Sequence, residues 1–186
     1  MGEIFFTSDT HFGHNKEFLY GARGFNSVEE HAEEIIKRWN SVVKAHDVVY
    51  FLGDMTLSTE YEEKALGWVK RLNGKIYWIA GNHDTNNRID KFLVECDNIV
   101  EFRGFAERMK LDKKSLLLSH YPTITANRLD SDEPGLKNVV YNLHGHTHQK
   151  TNFSPDLPLT CYHVGLDSHD LAPVSWSEIN ADLNKY

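Results

Sequence analysis

The sequence predicts an α/β protein in which two mixed β-sheets pack face to face, with helices on the outside. Short apolar runs predict strands, amphipathic segments between the first three runs predict helices, and the second half of the chain contains mainly strand-like runs. The 186 residues contain no internal repeat, low-complexity tract or linker. We therefore expect one domain that spans residues 1–186.

The predicted strands are runs rich in β-branched and aromatic residues, each short enough to form a single strand. They lie at residues 4–7, 48–52, 76–80, 99–102, 105–111, 116–118, 139–143 and 161–164. The later runs are joined by short turns that contain glycine or charged residues, so the second half is expected to be rich in hairpins.

Two helices are predicted between the first three strands. Ser27 and Glu30 form a capping-box sequence that is followed by apolar residues at steps of three and four, which predicts a helix over residues 28–44. Thr59 and Glu62 predict the start of a second helix, which ends at an Asn-Gly pair. This alternation of strands and helices predicts parallel strands with right-handed crossovers.

The composition is that of a folded protein in water. Hydrophobic residues make up 40% of the chain and charged residues 25%, which excludes disordered and coiled-coil classes. No window approaches 18 consecutive apolar residues and the N-terminus has no signal-peptide pattern, so we expect a cytoplasmic protein that does not contact membranes. Cys96 and Cys161 lack metal-binding or disulfide spacing and are expected to be small buried residues.

The net charge of −7 disfavours a protein that binds nucleic acid through a broad basic face. A bound metal pair would weaken this argument, because it would add roughly four positive charges at one point. The 11 histidines direct attention to such a site, since most of them lie in short clusters with glycine, asparagine or aspartate.

Polar clusters follow five of the predicted strands. In chain order they are Asp9 with His11, Gly53-Asp54, Gly81-Asn82-His83-Asp84, Ser119-His120 and Gly145-His146-Thr147-His148. Parallel strands bring their carboxyl ends to one edge of a sheet, where ligands bind. One cluster alone could be a solvated turn or a helix cap, whereas five in this position indicate a metal site.

These clusters resemble the motifs of the calcineurin-like metallophosphoesterase superfamily, which run D-x-H, G-D, G-N-H-[DE], H and G-H-x-H in this order. The resemblance spans residues 4–148, and residues 8–14 are similar to a small, generally uncharacterised bacterial and phage branch. It implies a four-layer α/β/β/α sandwich with a dinuclear metal centre that hydrolyses phosphate esters.

The resemblance also implies which side chains hold the metals. Asp9, His11 and His148 would hold one ion, Asn82, His120 and His146 would hold the other, and Asp54 would bridge them. Imidazole, carboxylate and amide donors suit Mn²⁺, our first choice, or Fe, Zn, Ni or Co better than Mg²⁺ or Ca²⁺. Two carboxylates would leave about two positive charges to bind a phosphate and to acidify a bridging water, whose hydroxide would be the nucleophile.

His83 follows a metal-ligating Asn without being a ligand itself, which suits a general acid beside the leaving-group oxygen. A turn histidine bonded to the backbone is the alternative. The serine/threonine phosphatase branch places a second Asp three residues after the bridging one and then an Arg, where this chain has Leu57 and Ser58. This difference argues against that branch and leaves the partner that orients His83 open.

Four further residues are candidates for binding substrate phosphate oxygens. His14, Asn15 and Arg23 lie just beyond the first predicted ligands, and Arg128 lies in a predicted long loop over residues 121–137. Exposed charge is the alternative for Arg23 and Arg128, and local turn bonding is the alternative for Asn15.

The preferred function is hydrolysis of a small phosphate mono- or diester, with specificity set by the loops at 12–26 and 121–137. A nuclease would use the same residues but would need added basic surface or a capping domain. A non-catalytic scaffold with this fold would be expected to have lost ligands, and every motif is intact here. The sequence predicts no particular oligomeric state.

Overall fold

The computed structural model describes residues 2–57, 59–124 and 139–185. Within these ranges the chain forms two mixed β-sheets with helices, so the predicted fold class is confirmed. Arg128 and most of the predicted loop at 121–137 lie outside the described residues.

The strands and helices follow one another in a mixed order along the chain. The strands are β1 (Ile4–Thr7), β2 (Val48–Leu52), β3 (Lys75–Ile79), β4 (Ile99–Phe102), β5 (Ala106–Leu111), β6 (Lys114–Ser119), β7 (Val140–His144), β8 (Cys161–His163) and β9 (Val174–Ser175). The helices are α1 (Glu17–Tyr20), α2 (Val28–Val42), α3 (Glu62–Val69), α4 (Asn86–Glu95) and α5 (Trp176–Leu183), with a 3-10 turn at Leu166–Ser168.

The first sheet has the strand order β4-β3-β2-β1-β9. Strands β1 to β4 are parallel, as the alternation of strands and helices predicts, and β9 pairs antiparallel with β1 at one edge. Phe5 lies beside Val49, and Val49 lies beside Ile76, so the centre of the sheet is apolar across three strands. The carboxyl ends of β1, β2 and β3 therefore meet at the same edge.

The second sheet has the order β5-β6-β7-β8, and here the prediction of a hairpin-rich second half is wrong in part. Strands β5 and β6 form the expected hairpin, but β6, β7 and β8 run parallel to one another. Parallel neighbours need crossover connections of about a dozen residues or more. The segments at 120–139 and 145–160 are long enough to provide them.

Side chains that alternate along the strands divide the core into two layers. Phe5 and Phe51 point to one face of the first sheet and pack with the apolar sides of α2, α3 and α4. Phe6, Leu52 and Ile79 point to the other face and pack with residues of the second sheet and of α5. Full burial of each of these side chains contributes about 1.5–3 kcal/mol relative to exposure.

Helix α2 begins as predicted at Ser27, whose side chain accepts a hydrogen bond from the backbone N–H of Glu30. The carboxylate of Glu30 accepts from the backbone N–H of Asn26, one residue before the cap, so the capping box is only half formed. The helix ends at Val42 because Val43 adopts an extended conformation. Helix α3 begins at Glu62, with Tyr61 in place of the predicted Thr59 at its N-cap.

Helices α4 and α5 are absent from the sequence-based prediction.

Among the described residues, no helix has the length and apolar character needed to cross a membrane. Cys96 and Cys161 are buried free thiols, as predicted.

Candidate metal centre

The predicted ligands converge at the carboxyl ends of strands from both sheets. The segment after β1 runs beside the segment after β2, because the N–H groups of Asp9 and His11 donate to the carbonyls of Gly53 and Asp54 at 3.0 Å each. The segments after β6 and β7 are joined in the same way, since the N–H of Gly145 donates to the carbonyl of His120 at 3.0 Å. Backbone hydrogen bonds therefore hold the loops that carry the ligands.

Three predicted ligands form a compact first group: Asp9, His11 and His148. The Nε2 atoms of His11 and His148 are 3.3 Å apart, and each lies 3.8 Å from Asp9 Oδ1. Burial lowers the pKa of His11 well below its ordinary value, so the ring is neutral and can offer a lone pair.

The second group lies around Asn82. Its side-chain Oδ1 is 3.0 Å from His120 Nε2 and 3.1 Å from His146 Nδ1. His120 Nδ1 lies 2.8 Å from the carbonyl of Leu52, which can only accept a hydrogen bond. Nδ1 of His120 therefore carries a proton and donates to this carbonyl, while Nε2 is directed at the site and is the nitrogen that could bind a metal.

Asp54 lies between the two groups. Its Oδ2 is 3.6 Å from His11 Nε2 and 3.4 Å from His120 Nε2. Burial alone would raise the pKa of Asp54, but the hydrogen bond and charge of His120 outweigh it and lower the pKa to about 2. The carboxylate is thus ionised and has one oxygen that faces both sets of imidazoles.

These side chains fit a divalent metal ion. The Oδ1 atom of Asp9 is buried without a hydrogen-bond partner, and burial raises the pKa of this carboxyl. An unpaired buried carboxylate oxygen is costly unless a cation neutralises it. The nitrogen and oxygen donors around it are those that Mn, Fe, Co, Ni and Zn prefer.

Several residues of the site have a strained backbone conformation with positive φ. Among the described residues, nine non-glycine residues have positive φ angles, and five of them are predicted ligands: Asp9, His11, Asp54, His146 and His148. Non-glycine residues rarely adopt this conformation, which costs of order 1–3 kcal/mol each and clusters at functional sites. Gly145 is required for close approach, since a Cβ there would clash with Ser8 Oγ and would lie 2.5 Å from Asp9 Oδ2.

His83 lies beside the two groups and belongs to neither. Its Nε2 is 3.9 Å from Asp54 Oδ2, and its side chain is 37% exposed. The backbone fixes its position, because its N–H donates to Asp54 Oδ1 at 2.9 Å and its carbonyl accepts from Arg88 Nη1 at 2.7 Å. The ring therefore faces solvent next to the predicted ligands, where a proton donor could meet a departing oxygen.

Asp84 has a structural function that the sequence reasoning did not assign, although it is the last residue of the G-N-H-D motif. Its carboxylate accepts hydrogen bonds from the backbone N–H groups of Asp54, Met55 and Gly81, and from the indole N–H of Trp78. It therefore ties the end of β2 to the end of β3. The motif identifies Asp84 in the sequence, but it does not indicate which groups Asp84 contacts.

Asp84→Ala should lower the free energy of unfolding by about 3 kcal/mol, because buried N–H donors lose their acceptor. We expect the melting temperature to fall by roughly 6–12 °C in a calorimetric scan of the metal-free protein. Asp90→Ala is the matched control, since Asp90 is an exposed carboxylate on α4, and its melting temperature should stay close to wild type. Equal melting temperatures for the two variants would contradict the role given to Asp84.

The four predicted phosphate-binding residues are placed differently from one another. His14 lies at the site, with its ring 5.6 Å from that of His11, and Asn15 is exposed and donates to the hydroxyl of Tyr61 at 3.3 Å. Arg23 is turned inward, since its side chain is 1% exposed and bonded to Asp167. Arg128 lies outside the described residues.

Asp167 is the functional candidate that no motif indicated. It lies in the 3-10 turn after β8, and its Oδ2 is 2.8 Å from Nδ1 of His148. An isolated Asp between two short strands has no spacing signal that would relate it to a metal ligand.

Comparison with known proteins adds family information to this geometry. A family model for calcineurin-like phosphoesterases matches residues 2–150, a range that contains all the predicted ligands. An uncharacterized protein of Methanocaldococcus jannaschii is 43% identical over 105 residues, which are 56% of this chain and 56% of that protein. The match thus spans about half the length of that relative.

Two further proteins match nearly the whole chain. The Gene 66 protein of Mycobacterium phage L5 is 32% identical over 190 aligned residues, covering 90% of this chain and 88% of the phage protein. The crystal structure of a protein of unknown function from Aquifex aeolicus has a TM-score of 0.69 at 23% identity, covering 97% of this chain and 99% of that one. At this identity the structural likeness concerns the fold alone.

Proposed function

The chain belongs to the calcineurin-like phosphoesterase family, and on that premise we propose that it hydrolyses small phosphate mono- or diesters with two bound divalent cations. The observation that carries the proposal is the position of Asp54, whose Oδ2 lies within 3.6 Å of an imidazole nitrogen from each ligand group. One carboxylate oxygen shared between two sets of donors is suited to a pair of ions rather than to a single ion.

We assign the candidate ligands to two groups as the motifs suggest. Asp9, His11 and His148 would hold one cation, Asn82, His120 and His146 would hold the other, and Asp54 would serve both. When bound, the cations would neutralise substrate phosphate charge and acidify a water molecule for attack at phosphorus. Mn²⁺ is our first choice, with Fe, Co, Ni and Zn as alternatives.

The chain itself would contribute a proton donor and a fixed framework. His83 is held by two backbone hydrogen bonds while its ring remains 37% exposed, so it can reach a leaving-group oxygen. The ring of His14 lies 5.6 Å from that of His11, and in this proposal His14 would contact a phosphate oxygen of the substrate. With a net charge of −7, the chain is better suited to a small ester than to a long nucleic acid.

The purified protein should bind close to two equivalents of transition metal and lose its activity after treatment with chelator. Elemental analysis tests the first statement, and hydrolysis assays before and after readdition of Mn²⁺ test the second. The substrates should include phosphate monoesters, phosphate diesters and single-stranded DNA, which separates a small-molecule phosphoesterase from a nuclease.

Two results would contradict this proposal. Less than half an equivalent of metal after reconstitution with Mn²⁺, Zn²⁺ and Ni²⁺ would exclude the dinuclear centre. Full metal content without hydrolysis of any ester in the panel would instead favour a non-catalytic scaffold of the same fold.

A further inference from the structure

His148 has a charged partner on the side of its ring that faces away from the other ligands. Its Nδ1 lies 2.8 Å from Asp167 Oδ2, and the side chain of Asp167 is only 5% exposed. Its other nitrogen, Nε2, faces His11 and Asp9. The imidazole is thus held between a buried carboxylate and the predicted metal position.

The chemistry of this contact determines which nitrogen carries the proton. An ionised carboxylate can only accept hydrogen bonds, so Nδ1 of His148 must be the donor. The lone pair then remains on Nε2, which is the atom directed at the first ligand group. A carboxylate behind a metal-binding histidine also increases the basicity of the ring and limits its rotation.

Asp167 is itself held by Arg23. The guanidinium donates from Nε to Oδ1 at 3.1 Å and from Nη2 to Oδ2 at 2.7 Å, a bidentate pair with an arginine side chain that is 1% exposed. Nη2 also donates to the backbone carbonyl of Asp9 at 2.8 Å, and Nη1 lies 3.0 Å from His31 Nε2 on α2. These contacts explain why Arg23 is directed inward instead of towards a substrate.

We propose that Asp167 is a positioning residue for the metal centre: it sets the tautomer and orientation of His148, and Arg23 holds it in place. The inference rests on the proposed function, because it requires a metal at the first ligand group. It assigns a purpose to two side chains that lie outside the five ligand motifs. Neither is a catalytic residue, since both side chains are buried, with 1% of Arg23 and 5% of Asp167 exposed.

The tautomer can be tested in the wild-type protein without any substitution. In the Zn²⁺-loaded protein, nitrogen-15 correlation spectra of the histidine rings should show the His148 proton on Nδ1 and the metal on Nε2. A proton on Nε2 with the metal on Nδ1 would overturn the proposal. This measurement does not depend on hydrolytic activity or on the folding of a variant.

Asp167→Asn should weaken metal binding at the first ligand group by roughly 10- to 100-fold, measured by calorimetric titration with Mn²⁺ or Co²⁺. Asp170→Asn is the matched control, because Asp170 lies three residues later, is 93% exposed and pairs with Arg38. Arg23→Lys keeps the positive charge but loses the bidentate contact, so it should weaken binding by a smaller factor.

The outcomes separate this inference from the function on which it rests. If the wild-type protein binds no metal, the proposed function fails. If the wild type binds two equivalents and Asp167→Asn binds them as tightly as Asp170→Asn does, the proposed function survives and the role of Asp167 is overturned.

Discussion

Replacing Asp54 by Asn is expected to be the most damaging single change among the ligands. Its Oδ2 is the carboxylate oxygen that faces both groups, at 3.6 Å from His11 Nε2 and 3.4 Å from His120 Nε2. The amide has nearly the same shape but no charge, so a bound cation pair would lose one of its two neutralising carboxylates. We expect kcat/KM to fall by roughly 10³-fold, about 4 kcal/mol of transition-state stabilisation.

The measurement combines metal content with hydrolysis at saturating Mn²⁺. Asp54→Asn should retain less than the full two equivalents, whereas Asp90→Asn, which changes an exposed carboxylate on α4, should match wild type in both assays. The amide oxygen that replaces Oδ1 can still accept the hydrogen bond that His83 N–H donates there, so the fold should persist. Two retained metals and a full rate would show that Asp54 does not bridge.

The convergence of the candidate ligands could be predicted because each of them follows a strand. Asp54 and His120 come directly after runs that read as strands in the sequence, and the structure brings them within 3.4 Å although they belong to different sheets. The position of each motif after a strand therefore predicted which side chains lie close together in the fold. The spacing did not reveal the backbone conformation, in which five of the predicted ligands have positive φ.

The missed elements have different physical causes. Helix α5 begins with a complete capping box between Ser175 and Glu178, a local signal that could have been identified in the sequence. Helix α4 has no capping box, because Arg88 stands three residues after its N-cap, Thr85, where the motif requires Glu or Gln. The parallel pairing of β6, β7 and β8 has no local signature, since the choice of strand partner depends on tertiary contacts.

The contacts of Asp167 could not be predicted from sequence motifs. Arg23 and Asp167 are separated by 144 positions, and His148 and Asp167 by 19, so no short pattern connects them. The side chains meet only because the segment after β8 packs against the segment after β1 in the folded chain. Ser8 and Gly165 form a parallel bridge at that point, which brings the two segments together.

His83→Ala should separate metal binding from proton transfer. His83 lies beside Asp54, with Nε2 at 3.9 Å from Oδ2, but it is in neither ligand group. The variant should therefore keep its fold and both metals. On a substrate with a poor alkoxide leaving group, kcat should fall by roughly 10²- to 10⁴-fold, because the departing oxygen needs a proton.

The contrast between leaving groups is the decisive part of this experiment. On p-nitrophenyl phosphate or its diester the loss should be much smaller, since nitrophenolate leaves with its charge already delocalised. His46→Ala is the control, because His46 is 74% exposed and is not among the predicted site residues. Equal losses on both kinds of substrate with metals retained would mean that His83 stabilises charge on phosphorus or positions the ester. Loss of a metal would make His83 a ligand, and the assignment of Asn82 to the second group would then have to change.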